Sequence, residues 1–320
     1  MKEPIFILKN QDKWETIDKD IKNTSVSPDK LASNYKSLSE DLSYAQTYYT
    51  NSEVAIYLNG LSVQYHEKIY TTRKEKSSRF IHFWLNEVPF EMMNNRKQML
   101  YAFIVFGISC LIGAFSAHHD GEFVRLILGD NYVNMTLENI ANGKPMDVYA
   151  NSDELPMFIG ITINNIRVAF LAFAFGILSS IGTGFLLFRN GIMLGSFQYF
   201  FYQKGVLGAS LLSIWTHGTL EITAIIIAGG AGFVLGNAFL FPNHNSRLVN
   251  LKEGTKRGLK IVIGLVPIFI IAGFLEGFVT RQVQWPLPIR LFFIIASLAF
   301  IVYYYIIYAN QVYQKQTKTD

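Results

Sequence analysis

Trp215-Thr216-His217-Gly218-Thr219-Leu220-Glu221 opens an apolar run that continues from Leu220 to Phe241. A helix needs about 20 predominantly apolar residues to cross a bilayer, and this run supplies them. With the opening helical as well, His217 and Glu221 lie one turn apart on one face. An ionisable group at the edge of a membrane segment is costly unless it has a partner or a task, so the pair marks where to look for function.

Working outward, 50% of the 320 residues are apolar and 16% are charged, a composition too apolar for an ordinary soluble protein. Nearly all charge lies before residue 98 or in short connectors. This predicts an all-α protein with an N-terminal cytoplasmic helical domain (1–98), a polytopic membrane helix bundle (99–310) and a cytoplasmic tail (311–320). The first 80 residues contain no apolar signal-peptide core, which keeps the N-terminal domain cytoplasmic. The single cysteine, Cys110, lies in an apolar run, can form no intramolecular disulfide and reads as a packing residue. The net charge of +4 is spread through the chain without a basic, aromatic-lined groove, so nucleic acid is not an expected partner.

In the N-terminal region Ser27-Pro28-Asp29 is a helix start: N-cap, proline at the first position, acid in the first turn. Leu31, Tyr35, Leu38, Leu42, Ala45 and Tyr49 then form one apolar stripe ending near Thr50. After a cap at Asn51 or Ser52, Val54, Leu58, Leu61, Tyr65 and Ile69 form a second stripe, predicting a helical hairpin. Phe6, Trp14, Ile17 and Ile21 add a short amphipathic piece ahead of it. The cluster Arg73, Lys74, Lys76 and Arg79, followed by Phe80, Ile81, Phe83 and Trp84, suits either the inner membrane surface or a helix end facing the core.

About six spans are expected. Met99 to Ala117 is the first, and the polar, acid-rich stretch after it is placed outside by the positive-inside rule. Val168 to Leu187 returns inward. Phe188 to Gln203 makes a short third span ending in an aromatic belt, and Val206 to Ile214 reads as a re-entrant or interfacial segment. Leu220 to Phe241 leads to a basic connector holding Arg247, Lys252, Lys256, Arg257 and Lys260, which favours six spans over five. Leu259 to Leu275 and Leu291 to Ile307 finish the bundle, with both termini inside. Gly191 and Gly195, and the ridge of Ala228, Gly232 and Gly236, are helix-packing positions that suit a compact bundle or a homo-oligomer.

This topology gathers Asn164, Asn165, Arg167, His217, Glu221 and Glu276 at the outer side, with His118, His119 and Asp120 emerging there too. His217, Glu221 and Glu276 are a donor set for a divalent metal, the one cofactor the residues offer, and an open coordination position would serve hydrolysis. The same residues also fit a buried polar network, in which Arg167 pairs with Glu221 or Glu276, or a lipid or glycan headgroup site. The spacing His-x-x-x-Glu lacks the second histidine and adjacent glutamate of a zinc-protease helix. A nucleophilic Ser or Cys motif and a phosphate-binding loop are both missing.

Asn164-Asn165-Ile166-Arg167-Val168-Ala169-Phe170, Asn190-Gly191-Ile192-Met193-Leu194-Gly195, His217-Gly218-Thr219-Leu220-Glu221 and Ala272-Gly273-Phe274-Leu275-Glu276-Gly277-Phe278-Val279-Thr280, with Gly232 and Gly236, form a set. On these the chain resembles the stage II sporulation protein M family. Trp14, Asp41-Leu42, Tyr57-Leu58-Asn59-Gly60-Leu61, His66 and Ile69-Tyr70 resemble landmarks of its longer variant. The resemblance implies a bacterial cytoplasmic-membrane protein. The namesake works in septal peptidoglycan remodelling beside a separate glycan-cutting enzyme, and the longer variant is associated with MoxR-type AAA+ ATPases. The leading expectation is therefore a non-enzymatic scaffold coupling a cytoplasmic partner to envelope remodelling, in contact with membrane lipids. The alternatives are an outer-leaflet metal-dependent hydrolase using His217, Glu221 and Glu276, and a transporter.

Overall fold

A computed structural model describes residues 1–22, 26–50, 52–70, 78–149, 154–242, 246–282 and 285–318, and every regular element among them is helical. Two compact units divide between Arg79 and Phe80, rather than at the expected 98/99. The reason lies in α5 (Val88–Asn94), whose Val88 and Met92 are buried in the core of the membrane unit.

The first unit holds α1 (Glu3–Lys22), α2 (Pro28–Tyr48) and α3 (Glu53–Tyr70). Ser27 caps α2 through the Lys30 amide, and the Ser52 hydroxyl accepts from the Ala55 amide at the start of α3, as the cap residues predict. The expected stripes bury Leu38, Ala45, Leu58, Leu61 and Tyr65. The N-terminal piece is no short appendage: Phe6, Trp14, Ile17 and Ile21 line one face of a 20-residue helix and belong to the same core. Two of its buried polar groups tie the helices together. Trp14 Nε1 donates to Asp41 Oδ2 at 2.8 Å, and the Tyr65 hydroxyl donates to the Ile17 carbonyl at 2.8 Å. Of the basic cluster after α3, Arg73, Lys74 and Lys76 lie outside the described residues.

Five helices of the second unit are long and apolar enough to cross a membrane: 96–119, 154–177, 207–240, 247–279 and 287–317. They comprise α6 (Arg96–His119), α9 (Glu154–Ala174) with its 3₁₀ end, α11 (Leu207–Leu240), α12 (Arg247–Phe274) with its π-helical end, and α13 (Leu287–Ile301) running through a π segment into α14 (Ala309–Thr317). A sixth long helix, α10 (Ile181–Gln203), carries Arg189 and Asn190 and lies along α6. The expected tail is thus largely a continuation of the last span. Between α6 and α9 lie the short helices α7 (Gly121–Leu128) and α8 (Asp130–Ala141), while α4 (Ser78–His82) and a π turn precede α5. Trp84 Nε1 donates to the Gly264 carbonyl at 3.3 Å, so the aromatic segment packs on the membrane unit at this residue.

Three expectations about the spans are corrected. The second span is not Val168 to Leu187, because the chain reverses at Leu178-Ser179-Ser180, where both serines have positive φ (54° and 66°). Hydropathy continues unbroken across this turn, so an apolar window does not detect it. As a result α10 is a 23-residue helix, not a short span from Phe188. The third correction concerns Val206 to Ile214, which is not re-entrant but forms the first turns of the 34-residue α11.

α11 is the central element, with 67% of its most apolar window buried against 17% for the last span. It packs against α6, α9, α10, α12 and α13. The small residues allow this closeness within the chain. A Cβ at Gly232 would sit 2.4 Å from the Ala172 carbonyl oxygen, and one at Gly236 2.0 Å from Ser180 Oγ. On α10, a Cβ at Gly195 would sit 1.9 Å from the Cys110 carbonyl oxygen, and one at Gly191 2.6 Å from Ser109 Cβ. These surfaces are filled by the fold itself.

Candidate metal centre

His217 lies near the first third of α11, at a depth of about 15 Å from the helix start at 1.5 Å per residue. It is 4% exposed. Glu221 follows one turn later on the same face, and Glu276 reaches the pair from the π-helical turn Leu275–Val279 at the end of α12. One ligand atom from each of His217, Glu221 and Glu276 lies within 4.8 Å of the other two. Tetrahedral donors at metal–ligand distances of about 2.1 Å stand roughly 3.4 Å apart, so small side-chain movements would close this set on one ion.

The ring of His217 is gripped from two sides by residues four apart on one face. Its Nδ1 is 2.9 Å from Thr280 Oγ1, and its Nε2 is 3.8 Å from Glu276 Oε2. The Thr280 hydroxyl donates its own hydrogen to the Leu275 carbonyl at 3.1 Å. Its oxygen is therefore the acceptor for a proton on Nδ1, which leaves the Nε2 lone pair directed to the carboxylate side. A partner of this kind, fixing the tautomer of a ligating histidine, is the usual support of a metal site.

Asn165 completes the wall from α9. It is 5% exposed, its amide interacts with the Glu221 carboxyl, and Nδ2 has no partner at hydrogen-bonding geometry. A buried amide of this kind is poised to meet a group entering the site. The cluster opens into a cavity of about 370 Å³ whose apolar walls include Ile127, Leu128, Met193, Leu194, Phe197 and Ile222. Tyr132 stands at this rim from α8, where burial pushes its phenol up to about 12, so it stays protonated at neutral pH.

Of the six residues expected to gather, four do: Asn165, His217, Glu221 and Glu276. Asn164 and Arg167 are exposed on another face of α9, and among the described residues Arg167 forms no ion pair with Glu221 or Glu276. Three residues separate neither from Asn165 in sequence, but helical rotation does. His118 and His119 also stay apart: His118 Nδ1 meets the Tyr199 hydroxyl and His119 Nδ1 meets the Phe115 carbonyl. Asp120 caps α7 through the Glu122 amide. Thr280 and Tyr132 were not singled out in the sequence. Thr280 had a readable signal, being four residues after Glu276; Tyr132 had none.

Comparison with known proteins places this geometry in a wider group. An uncharacterised protein of Methanocaldococcus jannaschii, MJ0706, is 29% identical over 209 residues, covering 63% of this chain and 89% of its own. A second uncharacterised protein of that organism, MJ0793, is 29% identical over 133 residues, covering 39% of this chain and 72% of its own. No solved structure matches the chain. Residues 5–71 match a domain of unknown function, DUF8413. Residues 102–281, which carry all four clustered residues and Thr280, match the family described as Stage II sporulation protein M, and over this majority of its length the chain belongs to that family.

Proposed function

We propose that this protein is a membrane-embedded, divalent-metal-dependent hydrolase, whose ion is held by His217, Glu221 and Glu276 near the outer leaflet. The observation that carries this reading is the convergence of the three donors at the base of a cavity, with the histidine tautomer fixed by Thr280. Three protein ligands leave a coordination position open, the arrangement that distinguishes catalytic from structural zinc sites. An ion there lowers the pKa of bound water toward about 7 and polarises the bond to be cut. A carboxylate beside it can take the proton that the water gives up.

Elemental analysis of the detergent-purified chain tests this directly. The wild type is expected to carry transition metal at near one ion per chain, with His217→Ala and Glu221→Gln each losing it while still eluting as folded protein. Metal-free wild type, with variants that are merely less stable, would make the cluster a structural network and end the hydrolase reading.

A second reading has its own support. The first unit folds around a separate core of three helices, which suits docking of a cytoplasmic partner such as a MoxR-type AAA+ ATPase. In this reading the chain is an integral membrane coupling component of an envelope-remodelling system. Deleting residues 1–79 would then abolish capture of the ATPase and leave the membrane unit folded; undiminished capture by the truncated chain would remove it.

A further inference from the structure

A second cavity, of about 550 Å³, lies between the loop after α8 and the ends of α11, α12 and α13. Three cations line it, Lys144, Arg281 and Arg290, against one carboxylate, Asp147. Its position is coupled to the candidate metal centre through both walls. Ser213, which accepts a hydrogen bond from Arg290 Nη2 at 3.0 Å, precedes His217 by one turn on α11. Arg281 directly follows Thr280, the residue that holds the His217 ring. A rise of about 6 Å per four helical residues therefore separates the floor of one cavity from the ligand of the other.

We infer that this second cavity binds a phosphate-bearing group, and that the substrate of the metal site is a phosphorylated molecule anchored there by Arg281 and Arg290. The second half of this statement rests on the hydrolase reading; the first does not. Two guanidinium groups present forked donors that match phosphate oxygens, and an ammonium on the flexible-stemmed Lys144 adds a point charge. Glu154 lies at 3.9 Å from Arg281 Nη1, beyond hydrogen-bonding distance, and is largely exposed, so it screens this guanidinium without filling its fork. After Asp147 is counted, the surplus of positive charge suits the nearly divalent charge of a phosphate monoester better than a single carboxylate.

The test uses the full chain in phosphatidylcholine nanodiscs, stripped of metal with a chelator, and pyrophosphate titrated by calorimetry. Wild type is expected to bind it, and Arg281→Gln and Arg290→Gln to weaken binding at least about tenfold each, the scale of a lost charge-assisted hydrogen bond. Arg290→Lys retains most of the affinity. Lys144, exposed and outside any helix, gives a variant with no fold to disturb, and Lys144→Gln is expected to weaken binding several-fold. Glu221→Gln, which loses metal, keeps its pyrophosphate affinity, so the two readings fail separately. Nanodiscs containing phosphatidic acid distinguish the sources: competition with pyrophosphate that disappears in the arginine variants assigns a lipid headgroup, and its absence beside intact pyrophosphate binding assigns a soluble phosphate compound. Pyrophosphate that fails to bind wild type, or binds with unchanged affinity in Lys144→Gln and Arg290→Gln, overturns the inference.

Discussion

At the residue scale, Thr280 decides how His217 can act. With Nδ1 engaged by Thr280 Oγ1, the imidazole offers Nε2 to the two carboxylates. Thr280→Ala is expected to lower metal affinity by about 10- to 100-fold, the usual effect of losing a supporting partner, while Thr280→Ser restores most of it. Unchanged affinity in Thr280→Ala, measured by competition with a chromophoric chelator, would show that the hydroxyl is incidental. In the first unit, the hydrogen bond from Lys30, then that from Asn34, holds the Asp20 carboxyl below its usual value. A folded-state pKa below the unfolded one gives stability that is present above the unfolded value and lost as pH falls through the folded value. Asp20 is solvent-accessible, so the effect is modest. Hydrogen-exchange protection of α1 and α2 is expected to be flat above about pH 5 and to decline below about pH 4. Asp20→Asn should remove the part of this decline that Asp20 causes.

Among the elements, α11 is the one that everything else is arranged to bury, and its glycines set how near the neighbours come. Substitution at Gly195 or Gly232 places a Cβ against a backbone carbonyl that cannot swing aside. Gly195→Val and Gly232→Val are each expected to destabilise the membrane unit by at least the ~1–3 kcal/mol of an overpacked core, read as a lowered melting temperature in detergent. Gly60, on α3, is the contrasting case: nothing lies within 4 Å of an added Cβ, so Gly60→Ala should stabilise its unit by roughly 0.5–1 kcal/mol. Equal effects at these sites would mean that the glycines matter for helix propensity alone.

For the whole molecule, α10 joins the five apolar helices to give six crossings, an even number that returns the chain to its starting side. With Cys110 replaced by alanine, a cysteine at Ser179 is expected to react with impermeant maleimide only from inside, and one at Asn134 only from outside. Labelling of both from one side would require α10 not to cross. The sequence alone determined that the protein is an all-α membrane bundle with a helical N-terminal unit, since apolar runs and three-to-four spacing are local properties of the chain. It also singled out His217, Glu221 and Glu276, because ionisable groups stand out in apolar surroundings. Only the tertiary structure decided where α9 ends and α10 begins, because the Ser179-Ser180 reversal depends on backbone conformation rather than on hydropathy. It likewise separated Asn165 from Asn164 and Arg167 and brought Thr280 to the histidine. Which face of a helix meets its neighbour is fixed by the packing of α9, α11 and α12 together, a long-range property that no single stretch of sequence contains.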